Sequence, residues 1–454
     1  MKPHEVNSCG DEENSPQRSQ RNTEVEDLEL LALRTQSRNL KPLPKFLLSS
    51  SVFLCVLCGS ILCPSISFIL AADPLPQLKV TSDFSSGSGV VEKLDQQTRL
   101  IRITPTPHPD RGWACWWCVK ISGIKKGETL TLDVGEAPWA TPDRAAFSLD
   151  NQTWQQTGVG ERIGNRIVYH QKVDAEEAWF AWGPPFTVED AAALVQASEM
   201  QCPHAKAFEL CRSLEDRPEP ALRVSQPGVK DEDRFGIWVN ARQHAWESGG
   251  SWVCRGLTEW LVSNDERAET LRKKALVYIV PVMDVDNVAI GAGGKEQKPQ
   301  DHNRDWSDKP HFPAVAAAQK KIKELDAAGR FDMYVDLHNP GPSDRAPIFY
   351  VSPRDIMQSA GAANLDRFLK IARQEMTGPL SFKGDVRESG PTYDRHWEVI
   401  SKNWVTKNTR PHVVALTLET SWNTPNSTTD GYRQIGKELG LAIERYFRTS
   451  PRGN

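Results

Sequence analysis

The feature that most constrains this chain is a change of texture near residue 186. Beyond it, nearly continuous apolar runs at 236–239, 276–283, 334–337, 348–352 and 413–418 alternate with stretches of helical periodicity at 251–262, 314–328, 356–375 and 432–447. Strands that are apolar at successive positions show both faces to a hydrophobic interior, as happens when helices cover both sides of a sheet. The expected fold is therefore α/β, with a mixed, mostly parallel sheet and helices on both faces. Its first helix is placed at 188–198, because Thr187 and Asp190 have the spacing of a capping pair that satisfies free N–H groups. In such sheets ligands bind beyond the carboxyl ends of strands. The polar residues that follow apolar runs are thus the candidates for a site.

Upstream, residues 78–185 read differently. Short strands are expected at 100–104, 113–121, 129–134, 145–149, 167–173 and 178–182, with turn pairs between them. In 113–121 the residues Trp113, Cys115, Trp117, Val119 and Ile121 alternate onto one face. Several short strands at this spacing indicate an antiparallel β-sandwich. Pro184-Pro185 ends it, so the domains are drawn at 78–185 and 186–450.

The first 45 residues are polar and have little to bury, which indicates a disordered leader. Residues 46–70 then carry no charge, with Lys41 and Lys45 before them and Ala71-Ala72-Asp73 after. Segment 46–72 is read as a signal peptide or an uncleaved signal anchor. Either places the rest of the chain outside the cytoplasm: periplasmic, extracellular or anchored facing outward. Of nine cysteines, five follow this segment. Cys115 and Cys118 should point to opposite faces of a strand and stay unpaired. Cys202 and Cys211 are spaced to close a loop in an oxidising compartment. The net charge is −4 and no basic run is present, so nucleic acid is excluded as a partner.

Four polar clusters sit where the strand-end rule puts a site. The first is His244 and Glu247 in HAWE, after the 236–239 run. A histidine and a carboxylate three apart on a loop leaving a strand can close on one metal ion, but they need a second histidine to complete a catalytic zinc site. The second cluster is DHNRDW at 301–306, the third Asp336-Leu-His338, and the fourth Glu419 in LTLETSW. Each has a plainer reading: His338 as a core histidine bonded to Asp336, Arg304 as an ion pair with Asp301 or Asp305, Glu419 as a rim carboxylate. Taken together they supply what metal-assisted hydrolysis needs: a second histidine, a cation for an anionic substrate and a carboxylate for proton transfer.

In this order, HxxE, Asn-Arg, Asp-Leu-His and a strand-terminal Glu resemble the M14 zinc carboxypeptidases. The chain is most similar to the cytosolic-carboxypeptidase-like branch, which carries a β-sandwich immediately before the catalytic domain. SDFSSGSG near the start of the sandwich and AWFAWGPPFT at its end extend the likeness, which covers about residues 78–450. The resemblance implies one zinc per chain on His244, Glu247 and His338. It implies that Asn303 and Arg304 hold a substrate's terminal carboxylate and that Glu419 is the general acid/base. Tyr393, in ESGPTYDRHW, is the nearest candidate for the family's mobile substrate-binding tyrosine.

Three departures are visible. The family loop usually reads His-Pro-Gly-Glu, whereas here Trp246 enters it. The histidine that follows Asp-Leu-His-Gly is replaced in DLHNPG. The arginine that polarises the scissile carbonyl has no clear counterpart, and Lys295 in GAGGKEQ is its nearest substitute, with charge but without a forked pair of donors. The implied activity is zinc-dependent removal of C-terminal residues from peptides, with a peptide or small carboxylate-bearing molecule as substrate. A membrane enters only through an N-terminal anchor. Two alternatives remain: a zinc deacylase of the same fold acting on N-acyl amino acids, like the aspartoacylase group, and a non-catalytic binding protein of the cell envelope. Deacylases carry their extra domain after the catalytic one, and a binding protein should have lost a ligand or the glutamate.

Overall fold

The computed structural model describes residues 75–449 apart from 138–139. The polar leader and the uncharged run at 46–70 lie outside the described residues. Sandwich and α/β sheet belong to one compact unit, Ala72–Asn454.

The sandwich is built from β1 (Lys79–Thr81), β2 (Val90–Asp95), β3 (Leu100–Thr104), β4 (Cys118–Ser122), β5 (Glu128–Val134), β6 (Ala146–Ser148), β7 (Gln155–Gln156), β8 (Glu161–Ile163), β9 (Arg166–Val173) and β10 (Glu177–Ala181). One sheet runs β1-β4-β10-β6-β7, the other β2-β3-β5-β9-β8. Neighbours are antiparallel except β3 and β5. The chain crosses to the opposite sheet as β4 between those two strands, and such a crossover is what lets them run in the same direction. Ile101, Ile103, Val119, Ile121, Leu130 and Leu132 fill the space between the sheets. The strand expected at 113–121 begins only at Cys118. Trp116 and Trp117 are both buried, which alternation along a strand with one buried face does not permit. Residues 105–117 instead form a long connection against the second domain.

That domain contains α1 (Val188–Gln201), β11 (Ala205–Arg212), β12 (Pro218–Val224), β13 (Phe235–Ala241), α2 (Ser248–Leu261), α3 (Glu266–Lys274), β14 (Ala275–Val280), α4 (Val285–Ile290), α5 (Pro313–Ala327), β15 (Met333–His338), β16 (Ile348–Val351), α6 (Ser359–Glu375), β17 (Val386–Glu388), α7 (Ser401–Asn408), β18 (Val414–Glu419) and α8 (Thr429–Thr449). The Thr187–Asp190 capping box starts α1 as expected. The eight-stranded sheet runs β11-β12-β14-β13-β15-β18-β16-β17. Its centre, β14-β13-β15-β18, is parallel. Antiparallel β11 and β12 extend one edge, and β16 joins β18 antiparallel on the other side.

Helices α2 and α8 cover one face of the sheet, α5 and α7 the other. The architecture is the mixed α/β sheet preceded by an antiparallel sandwich that the sequence indicates. The Cys202–Cys211 loop closure is not formed, and both thiols are free. Cys202 caps α1, whereas β11 carries the chain from Ala205 to Cys211 over roughly 20 Å of extended backbone. Cys115 and Cys118 are likewise free and buried.

Candidate active site and metal centre

The carboxyl ends of β13, β15 and β18 lie side by side at the centre of the sheet, with His338 and Glu419 in register. After β13 the chain turns through Arg242 at φ 61°. A left-handed arginine is uncommon, and here its buried side chain grips the loop it begins. Nε donates to the Ala245 carbonyl at 2.9 Å and Nη1 to the Phe186 carbonyl at 3.1 Å. Burial draws its pKa down to about 9. Trp246 is locked from the other side: its backbone N–H donates to the Gly293 carbonyl, and its ring meets Trp182 edge-on at 5.0 Å. The tryptophan that departs from the family loop is thus part of the sandwich core.

This loop delivers His244 and Glu247 against His338. The Glu247 carboxylate lies between the two imidazoles, 2.8 Å from His244 Nδ1 and 2.7 Å from His338 Nδ1. Burial would raise the Glu247 pKa, but the two imidazoles reverse the effect and hold it well below the carboxylate range. Each ring turns its other nitrogen to an aspartate: His338 Nε2 to Asp336 at 3.0 Å, His244 Nε2 to Asp301 at 3.4 Å. Burial would lower the His338 pKa, yet Asp336 and Glu247 carry it well above the ordinary value.

One ligand atom from each of His244, Glu247 and His338 lies within 4.8 Å of the others, the one such group among the described residues. Two imidazoles and a carboxylate are a zinc donor set, and carboxylates on the far nitrogens are what orients metal-binding histidines. The donors fit zinc. The plainer reading of His338 holds in part, since it does bond Asp336, but its Nδ1 faces the centre.

Asp336 is itself a hub. It accepts from Asn240 Nδ2 (2.7 Å), Gln243 Nε2 (2.6 Å) and Ser401 Oγ (2.8 Å). Burial would raise the Asp301 pKa, but His244, Lys295 and Arg304 hold it well below the carboxylate range.

A cavity of about 180 Å³ opens beside the centre. His244, Glu247, Lys295, Asn303, Arg304, Tyr393 and Glu419 all line it, whereas His338 is buried and does not. Arg304 sits on a single 3-10 turn, His302–Arg304, and pairs with Asp394 rather than with Asp301 or Asp305 (Nε–Oδ2 2.8 Å). Asp305 instead accepts the N–H groups of His311 and Phe312. Arg304 Nη2 has no hydrogen-bond partner among the described residues and is available to a ligand. Asn303 lies beside it, with Oδ1 taken by the Ser401 N–H (3.0 Å) and Nδ2 3.3 Å from His338 Nε2.

Glu419 faces the cavity with Oε2 buried and unpartnered. Burial pushes its carboxyl up to about 7, against the pull of His338 and with a push from Glu247. Lys295 reaches the cavity and is tethered to Asp301 at 3.3 Å. Tyr393 is 48 % exposed and packs on Tyr350 at 5.2 Å. Its phenol is raised by burial and by Glu419, with Arg304 opposing.

One buried, cavity-lining cation was not legible in the sequence. Lys402, at the start of α7, is 3 % exposed and lines the cavity. Its Nζ makes no hydrogen bond or ion pair among the described residues and lies 5.9 Å from the Tyr350 ring. Burial draws its pKa down to about 7; Asp336 and Glu419 oppose, Arg304 adds to the fall. A lysine in SKNW carries no local signal, because only the docking of α7 beneath the sheet turns it inward.

The profile of the zinc carboxypeptidase family matches residues 192–424. The chain belongs to the zinc carboxypeptidase family. This M14 family is a zinc family, and the His-Glu-His group is the centre that fits one ion per chain. Over 184 residues the chain is 28% identical to human cytosolic carboxypeptidase 2, matching 39% of this chain and 20% of that protein. It is 28% identical over 263 residues to an uncharacterised Zymomonas mobilis protein, matching 56% of this chain and 64% of that one. The chain thus spans less than two thirds of the length of these relatives.

The fold is shared with a metallo-carboxypeptidase from Burkholderia cenocepacia (TM-score 0.70, 20% identity, 82% of this chain and all of that one). It is also shared with the Pseudomonas aeruginosa metallo-carboxypeptidase in complex with (2-guanidinoethylmercapto)succinic acid (TM-score 0.68, 20% identity, 82% and 99%). The deacylase and binding-protein alternatives are not favoured by any of these carboxypeptidase matches.

Proposed function

We propose that this M14 protein is a zinc-dependent carboxypeptidase that removes acidic residues from peptide C-termini. The observation that carries the reading is the convergence on one cavity of three zinc donors, an arginine with a free Nη2 and a glutamate with an unpartnered oxygen. His244, Glu247 and His338 would hold the ion. Zinc bound there supplies a Lewis acid that acidifies water and polarises the scissile carbonyl.

The rest is done by the chain's own groups. Arg304 takes the terminal carboxylate, with its Nε anchored on Asp394 so that the guanidinium is fixed before substrate arrives. Asn303 assists from the adjacent wall. Glu419 accepts a proton from the attacking water at its carboxylate and gives it to the departing amine nitrogen. Lys295 sets positive charge beside the developing oxyanion, and Tyr393 flanks the bound residue. The acidic preference rests on Lys402, a buried ammonium that faces the cavity without an anion of its own.

Export is part of the proposal, supported by the uncharged 46–70 run and the lysines before it. The sandwich at 78–185 and the catalytic domain at 186–450 would then act outside the cytoplasm, with a membrane anchor only if the segment is not cleaved. The catalytic reading is tested by elemental analysis of the purified chain with turnover of peptides ending in Glu. About one zinc per chain, and activity that chelation removes and zinc restores, is expected. An active protein without zinc would overturn it. Export is tested by the native N-terminus: one near Asp73, or an intact chain in the membrane fraction, is expected, and an intact soluble cytoplasmic chain contradicts it.

A further inference from the structure

One wall of the cavity does not come from the α/β domain. Trp113 stands on the connection between β3 and β4 of the sandwich, and its half-buried ring lines the cavity beside Lys295. The ring is held from several sides. Its backbone N–H donates to the Lys295 carbonyl (3.0 Å), the Gly294 N–H to the Arg111 carbonyl (2.9 Å), and the Lys298 N–H to the Asp110 carbonyl (2.9 Å). Ion pairs Arg111–Glu215 and Lys298–Asp110 flank this seam.

Two glycines make the approach possible. Gly112 is at φ +87° against the Lys295 carbonyl, and a Cβ on Gly293 would collide with the Trp113 carbonyl. The indole Nε1 donates to Glu296 Oε2 at 3.1 Å, and Lys295 Nζ lies 6.0 Å from the ring centre. A half-buried aromatic side chain pinned by this many backbone and side-chain contacts is preorganised, and preorganisation is what lets such a ring contribute to binding.

We propose that Trp113 is a substrate-binding residue, an aromatic platform for the peptide residues just upstream of the scissile bond. The inference rests on the carboxypeptidase reading. With the terminal carboxylate on Arg304 and the last side chain against Lys402, both buried, the remaining peptide must leave through the open side. Trp113 and Lys295 stand nearer that side: each is only partly buried, whereas Arg304 and Lys402 are not. A flat indole face accepts peptide planes and apolar side chains alike. The sandwich therefore contributes to substrate recognition, and length of peptide becomes a determinant of rate.

The test is a length series of acetyl-capped substrates ending in Glu, with no residue, one residue or two residues upstream of it. In wild type kcat/KM should rise with length. In Trp113→Ala the ratio of the longest to the shortest substrate should fall by about tenfold, through KM. Trp113→Phe should recover most of the gain although it cannot bond Glu296, and Trp113→Leu, which keeps bulk without an aromatic face, should not. If Trp113→Ala does not fold, the Phe and Leu variants decide. An equal loss at every length would mean that the ring only holds the Lys295 loop, and this or an unchanged ratio would overturn the proposal. A wild type that cleaves none of the peptides would overturn the carboxypeptidase reading itself.

Discussion

Replacing Lys402 with methionine isolates the acidic preference from the rest of the mechanism. The ammonium is 3 % exposed and meets no carboxylate among the described residues, so a substrate carboxylate would be its first ionic partner. A hydrogen bond to a charged group of this kind contributes about 1.5–3 kcal/mol. At about 1.4 kcal/mol per tenfold that is a factor of ~10–150. The assay is kcat/KM for matched peptides ending in Glu or in Gln, which differ only in that charge. Wild type should favour Glu within that range, and Lys402→Met should bring the ratio close to unity while improving peptides that end in Leu or Met.

The fold should not suffer, because the substitution removes a buried charge that has no partner. Burial holds the Lys402 pKa down to about 7. The charged form that grips substrate therefore predominates below pH 7 and is lost above it, so the Glu-over-Gln preference should shrink between pH 7 and pH 9. Arg304 deepens this fall, while Asp336 and Glu419 oppose it. A wild type indifferent to Glu and Gln, or a methionine variant that keeps the preference, would refute the assignment of Lys402.

Other substitutions separate the remaining roles. Glu419→Gln should keep zinc and substrate affinity while kcat falls by ~10²–10⁴, as for loss of a general acid/base; wild-type kcat in that variant would remove Glu419 from proton transfer. Arg304→Ala should raise KM and also lower kcat, because the scissile bond is no longer positioned; an unchanged KM would contradict the carboxylate role. Asp336→Asn should weaken zinc binding by ~10–100-fold in chelator competition, the span seen when the partner of a metal-binding histidine is lost. Unaltered affinity would mean that Asp336 serves packing alone.

The centre of the site was legible because its residues leave strands that announce themselves. The runs at 236–239, 334–337 and 413–418 are mostly apolar; His338 and Glu419 follow the last two immediately, and His244 follows the first by a short turn. Less legible were elements with mixed composition. The β11–β12 hairpin contains Lys206, Glu209, Glu219 and Arg223 within its strands, and α3 is mostly charged. Lys402 and Trp113 escaped for a different reason. Each reaches the cavity only because a distant element docks there, α7 under the sheet in one case and the sandwich connection against residues 293–298 in the other. Alternation of residue types even argued for Trp113 in a strand, but Cys115, Trp116, Trp117, Cys118 and Val119 are all buried, and the strand begins only at Cys118.

The central claim is that this cavity takes the free C-terminus of a peptide. Its most direct measurement is the rate, by mass spectrometry, at which the zinc-loaded chain removes one residue from a peptide ending in Glu, compared with the same peptide amidated at its C-terminus. Arg304 Nη2 and the carboxylate it would bind predict rapid loss of a single residue from the free acid and at least ~10-fold slower loss from the amide. Equal rates on both, or cleavage at an internal bond, would contradict it.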